Sequence, residues 1–325
     1  MSEHVWLKSC VGMVSVLVCG CSSGTEVTEP PQMEAFALKF VASDGVQAMG
    51  CEDVLTVDLE GRPATFGMSD LRFYISDIKF LNSQGDVLDI ELDQNPFQFA
   101  NEAGQVSLID LTDTAKGSCD GAAIAFSEGT SRTNDVIRGR TVLDDVAHVS
   151  FDVGISQAMM QHVIANNTAE GAPSPMREMY WSWASGYRHF VLNGVINDGT
   201  QDGEAYLHLG SRACGEMGEL ALENQSECRF INTPRVELDM TDLNEQVVAL
   251  DLSVIIADLD FKSPQYDPMT FEVIGEQTGI ECHSGPMQPD CEMVFQSFGL
   301  DLTSGKADAS KNRVFSVKSE SDIAR

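Results

Sequence analysis

LRFYISDIKFL, residues Leu71–Leu81, decides the fold class. Alternate side chains of an extended chain point to opposite faces, so Leu71, Phe73 and Ile75 share one face. Branched and aromatic residues dominate the run, which suits a packed, pleated strand. Asn82–Gly85 reads as a turn and Asp86–Leu92 as a return strand. Upstream, Ala35–Ser43 alternates apolar and polar residues as a half-buried strand does. Between them, Gly45 to Gly67 reads as loop around Cys51, with Gly61-Arg62-Pro63 as a breaker.

The same pattern recurs downstream. Val106–Leu111 is a short apolar run, and Val149, Phe151 and Val153 alternate within His148–Ile155. Phe190–Ile196 and Glu204–Leu209 flank Asn197-Asp198-Gly199 and Asp202-Gly203, good hairpin chemistry. A hairpin centred near Thr200 would set Leu192 opposite His208. Val236, Leu238 and Met240 alternate, Val247–Leu259 is a long apolar segment, and Phe295–Leu300 and Val314–Val317 are placed to close the sheet. Ser156–Ala165 is the best helical candidate. The expectation is a mostly β protein: a single β-sandwich-like domain over 35–318 with disulfides and few short helices, followed by a tail at 319–325.

The N-terminus reads as an export signal. Lys8 precedes a short apolar run, Val11–Cys19, too short to span a bilayer but right for a signal core. It ends in Val18-Cys19-Gly20-Cys21, which resembles a bacterial lipobox. Cys21 is the better acceptor, because bulky Val18 immediately precedes Cys19. This predicts a signal peptide at 1–20, lipidation at Cys21 and a polar, proline-containing tether at 21–34. The protein would be periplasmic or cell-surface, held by a lipid anchor, most simply at the outer membrane.

Lys plus Arg number 20 against 50 Asp plus Glu, a net charge of −30. Such a chain is repelled by nucleic acid and by anionic membrane surfaces, so the anchor is its one expected membrane contact. Beyond Cys21, six cysteines remain: Cys51, Cys119, Cys214, Cys228, Cys282 and Cys291. An even number in an exported chain suggests disulfides. Proximity favours Cys214–Cys228 and Cys282–Cys291, leaving Cys51–Cys119. The chain holds no HExxH, Walker A, GxGxxG or GxSxG motif. The acidic run Asp86, Asp89, Glu91 and Asp93 lacks EF-hand spacing and reads as a solvated face.

Met176–Val191, MREMYWSWASGYRHFV, concentrates two of the three tryptophans. Read as extended, it puts Met179, Trp181 and Trp183 on one face, with a bend at Ser185-Gly186. Among the histidines, His148 falls with Ser150 and Asp152 on a polar face, His189 reads as an interface residue, and His283, between Cys282 and Cys291, reads as exposed. His162, in the helical segment, and His208, opposite in face to Leu207 and Leu209, remain as candidates. Imidazole and thioether donors together suit copper, especially Cu(I).

Four segments, DLRFYISDIKF (70–80), MYWSWASGYRHF (179–190), LHLGSRAC (207–214) and CHSGPMQPDC (282–291), together resemble the MbnP-like periplasmic copper-binding proteins. These are also described as the four-Cys member of a metallo-mystery pair. The likeness runs from about Phe36 to about Val317. It implies a copper protein, not itself an enzyme, whose partner is a di-haem peroxidase-like cytochrome. That partner oxidises a tryptophan to kynurenine, whose aryl amine helps form the copper site. By position, His208 matches the HLGS histidine, and Trp181 and Trp183 match the WSW pair, either being the kynurenine candidate. His162 matches the histidine ahead of that pair, although it follows Gln161 where Asn is usual. Arg212-Ala213 stands where Thr-Gly is usual. Met179 would supply a soft contact. Two readings of other classes compete: a surface adhesion or assembly lipoprotein without metal, and an acidic calcium-binding module. A neighbouring gene for a CxxCH-bearing di-haem protein would favour copper over both.

Overall fold

The segment around Phe73 becomes the longest strand, and the sheets assemble about it. A computed structural model describes residues 32–112, 119, 133–167, 171–181, 186–214, 228–270 and 272–323. The expected signal peptide, Cys21 and most of the tether lie outside these residues. The main strands are β1 (Glu34–Ser43), β2 (Arg62–Leu81), β3 (Gly104–Asp110), β4 (Val136–Thr141), β5 (His148–Val153), β6 (Arg188–Asn197), β7 (Asp202–Gly210), β8 (Arg235–Asp239), β9 (Gln246–Asp251), β10 (Lys262–Tyr266), β11 (Val273–Cys282) and β12 (Phe315–Ser319). Among the described residues three α-helices accompany them, α1 (Gln157–Asn166), α2 (Leu252–Ile256) and α3 (Pro289–Ser297). No helix among the described residues is long and apolar enough to cross a membrane.

The larger sheet runs β8-β5-β2-β6-β7-β11-β10, and β3 also pairs with β2. The smaller runs β12-β9-β1-β4 and ends on Glu91–Leu92. Leu71, Phe73 and Ile75 point together into the space between the sheets, as their alternation requires. There the Phe73 ring lies 5.8 Å from Phe40 of β1, 5.9 Å from Phe315 of β12 and 6.0 Å from Phe190 of β6. The edge-on contacts with Phe40 and Phe315 join the two layers into a sandwich, while Phe190 lies beside Phe73 within the larger sheet.

Three local expectations change. The 45–67 loop contains a strand, Val54–Leu59, that turns through Glu60 and Gly61, both at positive φ, and pairs with the start of β2. Glycine tolerates such a turn, so Gly61-Arg62-Pro63 starts a strand rather than breaking one. Val247–Leu259 divides into β9 and α2, because Asp251 caps the helix by accepting from Ser253 N and Val254 N. The 319–325 stretch is folded as far as Ile323, which packs with Ala48, Val247 and Ala249.

Strand β2 is buried on both faces, unlike a half-buried strand. Its second face carries Asp70, Arg72 and Tyr74, all fully buried. Arg72 meets Asp70 in a two-pronged ion pair, Nε to Oδ1 at 2.8 Å and Nη2 to Oδ2 at 2.6 Å. Tyr74 belongs to a second apolar cluster with Met159, Met160 and Val163 of α1 and with Met176 and Met179. Helix α1 and the 171–181 segment therefore cover the face on which the candidate site lies. The three disulfides, Cys51–Cys119, Cys214–Cys228 and Cys282–Cys291, pair as spacing favours.

Candidate functional site

Strand register brings the site together. Strands β6 and β7 pair antiparallel with Val191 opposite His208 and Leu192 opposite Leu207. The hairpin therefore centres half a residue earlier than Thr200, and Val191, not Leu192, faces His208. Leu207 and Leu209 enter the core, so His208 and Tyr206 stand on the second face. Strand β11 runs parallel to β7, with Leu207 beside Cys282, so the next residue, His283, emerges beside His208.

The turn after β11 is clamped. Ser284 takes a positive φ of 60°, donates from Oγ to the His208 carbonyl at 3.0 Å and accepts from Gly210 N at 2.8 Å. Gln288 Oε1 accepts from His283 N at 2.7 Å, and the Cys282–Cys291 disulfide closes the loop. These contacts hold the two imidazoles with Nδ1 facing Nδ1 at 3.0 Å. On its other side His208 Nε2 lies 2.8 Å from Asn193 Oδ1 of β6. An amide oxygen only accepts, so Nε2 carries the proton and His208 Nδ1 offers a lone pair toward His283.

Trp181 closes the group. Its ring is edge-on to His208 at 6.0 Å and to His283 at 6.1 Å, and the residue is 1% exposed. Tyr206 lies on the other flank, 6.4 Å from His208 and 6.1 Å from His283. Burial, then the charges of His283, Arg188 and Arg72, hold the His208 pKa well below that of ordinary imidazole. Burial and Arg188 lower His283 to about 4. Both rings are therefore neutral at neutral pH, with lone pairs available.

Comparison with known proteins fits this picture. Residues 33–272 match the MbnP family. The chain belongs to the MbnP family. A solved structure, MbnP from Methylosinus trichosporium, superposes with a TM-score of 0.63 over 89% of this chain and 99% of that one, at 22% identity. That likeness establishes the shared fold. A search of curated proteins found no match. The MbnP family is associated with copper handling. His283 lies just beyond the matched residues, so the family match does not itself assign it.

The histidine pair fits copper in kind. Neutral imidazole nitrogens are ligands for it, and metal binding requires the deprotonated donor that burial already enforces here. Asn193 supplies the outer hydrogen bond that fixes a ligating imidazole's tautomer. The pair is incomplete, because no three His, Cys, Asp or Glu side chains converge as a metal site among the described residues.

The other expected residues are placed as follows. His162 sits on α1 with Nδ1 3.4 Å from Glu102 Oε1, beside the turn into β3. Three strand spacings, about 14 Å, separate β3 from β7. The described contacts thus bring His208 to His283 rather than to His162. Met179 is buried in the second cluster, and its N–H donates to Tyr74 Oη at 3.1 Å. Trp183 lies outside the described residues. Met179 and Trp181, on either side of Tyr180, are both buried. Tyr180 bridges Tyr187, and Trp181 N donates to Gly186 O at 2.9 Å. His148 meets Asp239 at the surface, whereas His189 is core, its Nδ1 accepting from Ile155 N and its Nε2 bound to the Ile231 carbonyl. His283, expected to be exposed, is mostly buried, its side chain 15% accessible. Its signal in the sequence was the CHSGPMQPDC segment. Only the parallel pairing of β7 and β11 shows what it faces.

Proposed function

We propose that this family member binds one copper ion between Nδ1 of His208 and Nδ1 of His283, with a third nitrogen donor derived from Trp181. The observation that carries this is the single Trp181 ring edge-on to both imidazoles, whose facing nitrogens lie 3.0 Å apart. Opening the indole to kynurenine takes up water, breaks its C2–C3 bond, leaves an oxygen on C3, releases C2 as formate and gives up four electrons with their protons. The electrons pass to a di-haem peroxidase-like cytochrome and its peroxide. The aryl amine so freed is a donor that intact indole lacks. Copper bound there supplies a soft cation that can be carried as Cu(I). His208 is oriented by Asn193, and the His283 proton moves from Nδ1 to Nε2, the nitrogen on the Glu281 side, as copper takes Nδ1.

In this reading the protein is the substrate of its partner and then a copper carrier or sensor, not a catalyst. It is exported, lipidated at Cys21 and held at the outer membrane. The test is to produce the full chain with and without the haem partner and to map its peptides. Kynurenine at Trp181 and about one copper bound only after conversion are expected. Tight copper binding by unconverted protein, or conversion confined to Trp183, would overturn the assignment.

A further inference from the structure

Trp181 is buried, so no docked protein can touch its indole, and an oxidant must draw electrons from it through other groups. The site reaches the surface at a cleft of about 400 Å³ beside β7 and β11, into whose wall Tyr206 and His283 project. The rim is acidic, with Asp202, Glu204 and Glu281. Next to it the β10–β11 hairpin exposes Tyr266, Met269, Val273 and Ile274. Four exposed large apolar side chains on one hairpin mark a contact surface, since soluble proteins seldom cluster them without a partner.

We infer that the oxidising partner docks on this cleft and hairpin through a basic face with an apolar centre, and withdraws electrons from Trp181 by way of Tyr206. The inference rests on the kynurenine reading above. The acidic rim attracts a basic surface, and the four apolar side chains give it a desolvated centre. Inside the cleft, the rings form a continuous series: Tyr206 lies 6.1 Å from His283, which lies 6.1 Å from Trp181. The Tyr206 hydroxyl donates to Glu204 Oε2 at 2.5 Å, so a proton acceptor is in place. Tyr206 gives one electron to the partner's oxidised haem and its phenolic proton to Glu204. The resulting radical takes one electron from Trp181 and the same proton back from Glu204, leaving an indole radical cation. One electron leaves the chain, the haem is reduced by one electron, and Tyr206 and Glu204 are restored.

The experiment mixes the full chain with the di-haem cytochrome and hydrogen peroxide and follows kynurenine formation. Tyr206→Phe keeps the ring and removes the transferable proton. At saturating partner it should slow conversion about tenfold or more, and freeze-quenching should lose a tyrosyl radical signal that the wild type shows. Met269→Lys with Ile274→Lys should raise the partner concentration needed for half-maximal rate about tenfold or more, while Val46→Lys, exposed elsewhere, should not. Equal rates for Tyr206→Phe and wild type would overturn the relay. An unchanged concentration dependence for the lysine pair would overturn the docking face. A wild type that is never converted would instead remove the kynurenine reading, and this inference with it.

Discussion

His208 and His283 present their Nδ1 atoms to each other at 3.0 Å from the ends of two parallel strands. Neither residue is near the other in sequence, and neither ring carries a proton charge that would repel a cation. Copper binding should therefore depend on both. His283→Ala should lose tight copper binding with little loss of stability, because its side chain keeps some solvent contact. His208→Ala should lose binding and also cost about 1–3 kcal/mol, since it leaves buried Asn193 without its partner. His148→Ala and His162→Ala should bind normally. Isothermal titration of converted protein decides this, and loss of binding in His162→Ala would restore that residue to the site.

Asn193 acts through His208 by accepting its Nε2 proton. Asn193→Ala removes the acceptor and frees the imidazole to rotate or change tautomer. Copper affinity should fall about 10–100-fold, while conversion of Trp181 by the haem partner proceeds at the wild-type rate. A competition assay with a copper chelator reads the first, and peptide mass the second. Unchanged affinity would show that the loop clamp at Ser284 and Gln288 alone orients the ring.

Much of this architecture is legible in local patterning. The face shared by Leu71, Phe73 and Ile75, the helix after Ser156 and the disulfide partners all depend on spacing along the chain. His208 was found because alternation separates it from Leu207 and Leu209. His283 was missed because its partner is set by a parallel strand pair joining residues 75 positions apart, and period-two patterning does not encode which strands lie side by side. His162 stood out by its place ahead of the tryptophans, yet the carboxylate it meets is Glu102, beside the turn into β3. Met179 packs with Tyr74 and α1 whereas Trp181 meets the two histidines, because those neighbours come from distant strands that local alternation does not encode.

The Cys282–Cys291 disulfide holds the turn that carries His283, whereas Cys51–Cys119 ties the loop before Val54–Leu59 to a distant segment. Replacing either pair by serine should lower stability by about 2–5 kcal/mol. Only loss of Cys282–Cys291 should also weaken copper binding. Thermal melts beside copper titrations separate the two effects, and equal copper affinity in both variants would remove the disulfide from the site.

His189 gives a pH signature independent of the copper site. Burial lowers its pKa from 6.5 to about 4 in the folded chain. Between those values the unfolded chain binds a proton that the folded chain refuses. Stability from this residue is thus full above about pH 6.5 and is lost as pH falls toward 4, by up to about 3 kcal/mol. Asp110 and Asp290, raised by burial to about 7 and about 6, act oppositely, because their folded forms hold protons the unfolded chain releases. The comparison must therefore be with His189→Gln, which keeps those carboxyls. Denaturant melts from pH 7 to 5 should show wild type losing more stability than the variant. Parallel curves would mean His189 is charged in the fold.

Gly186 sets the position of Trp181. It adopts φ +103°, its carbonyl accepts from Trp181 N at 2.9 Å, and a Cβ there would collide with Ser211 Oγ and lie 2.7 Å from Cys214 Sγ. Gly186→Ala therefore adds a strained backbone to a clash inside the strand end that supports the site. Ser211 also accepts from Tyr187 N, so relief of the clash must move the 180–187 bridge and the indole with it. The variant should lose about 1–3 kcal/mol of stability and convert Trp181 poorly with the haem partner. Gly61→Ala is the matched control: φ is +83°, but nothing lies within 4 Å of the added Cβ. It should share the backbone cost and convert normally. If both variants convert Trp181 at the wild-type rate, the indole is held by its ring contacts with His208 and His283 rather than by the Gly186 turn.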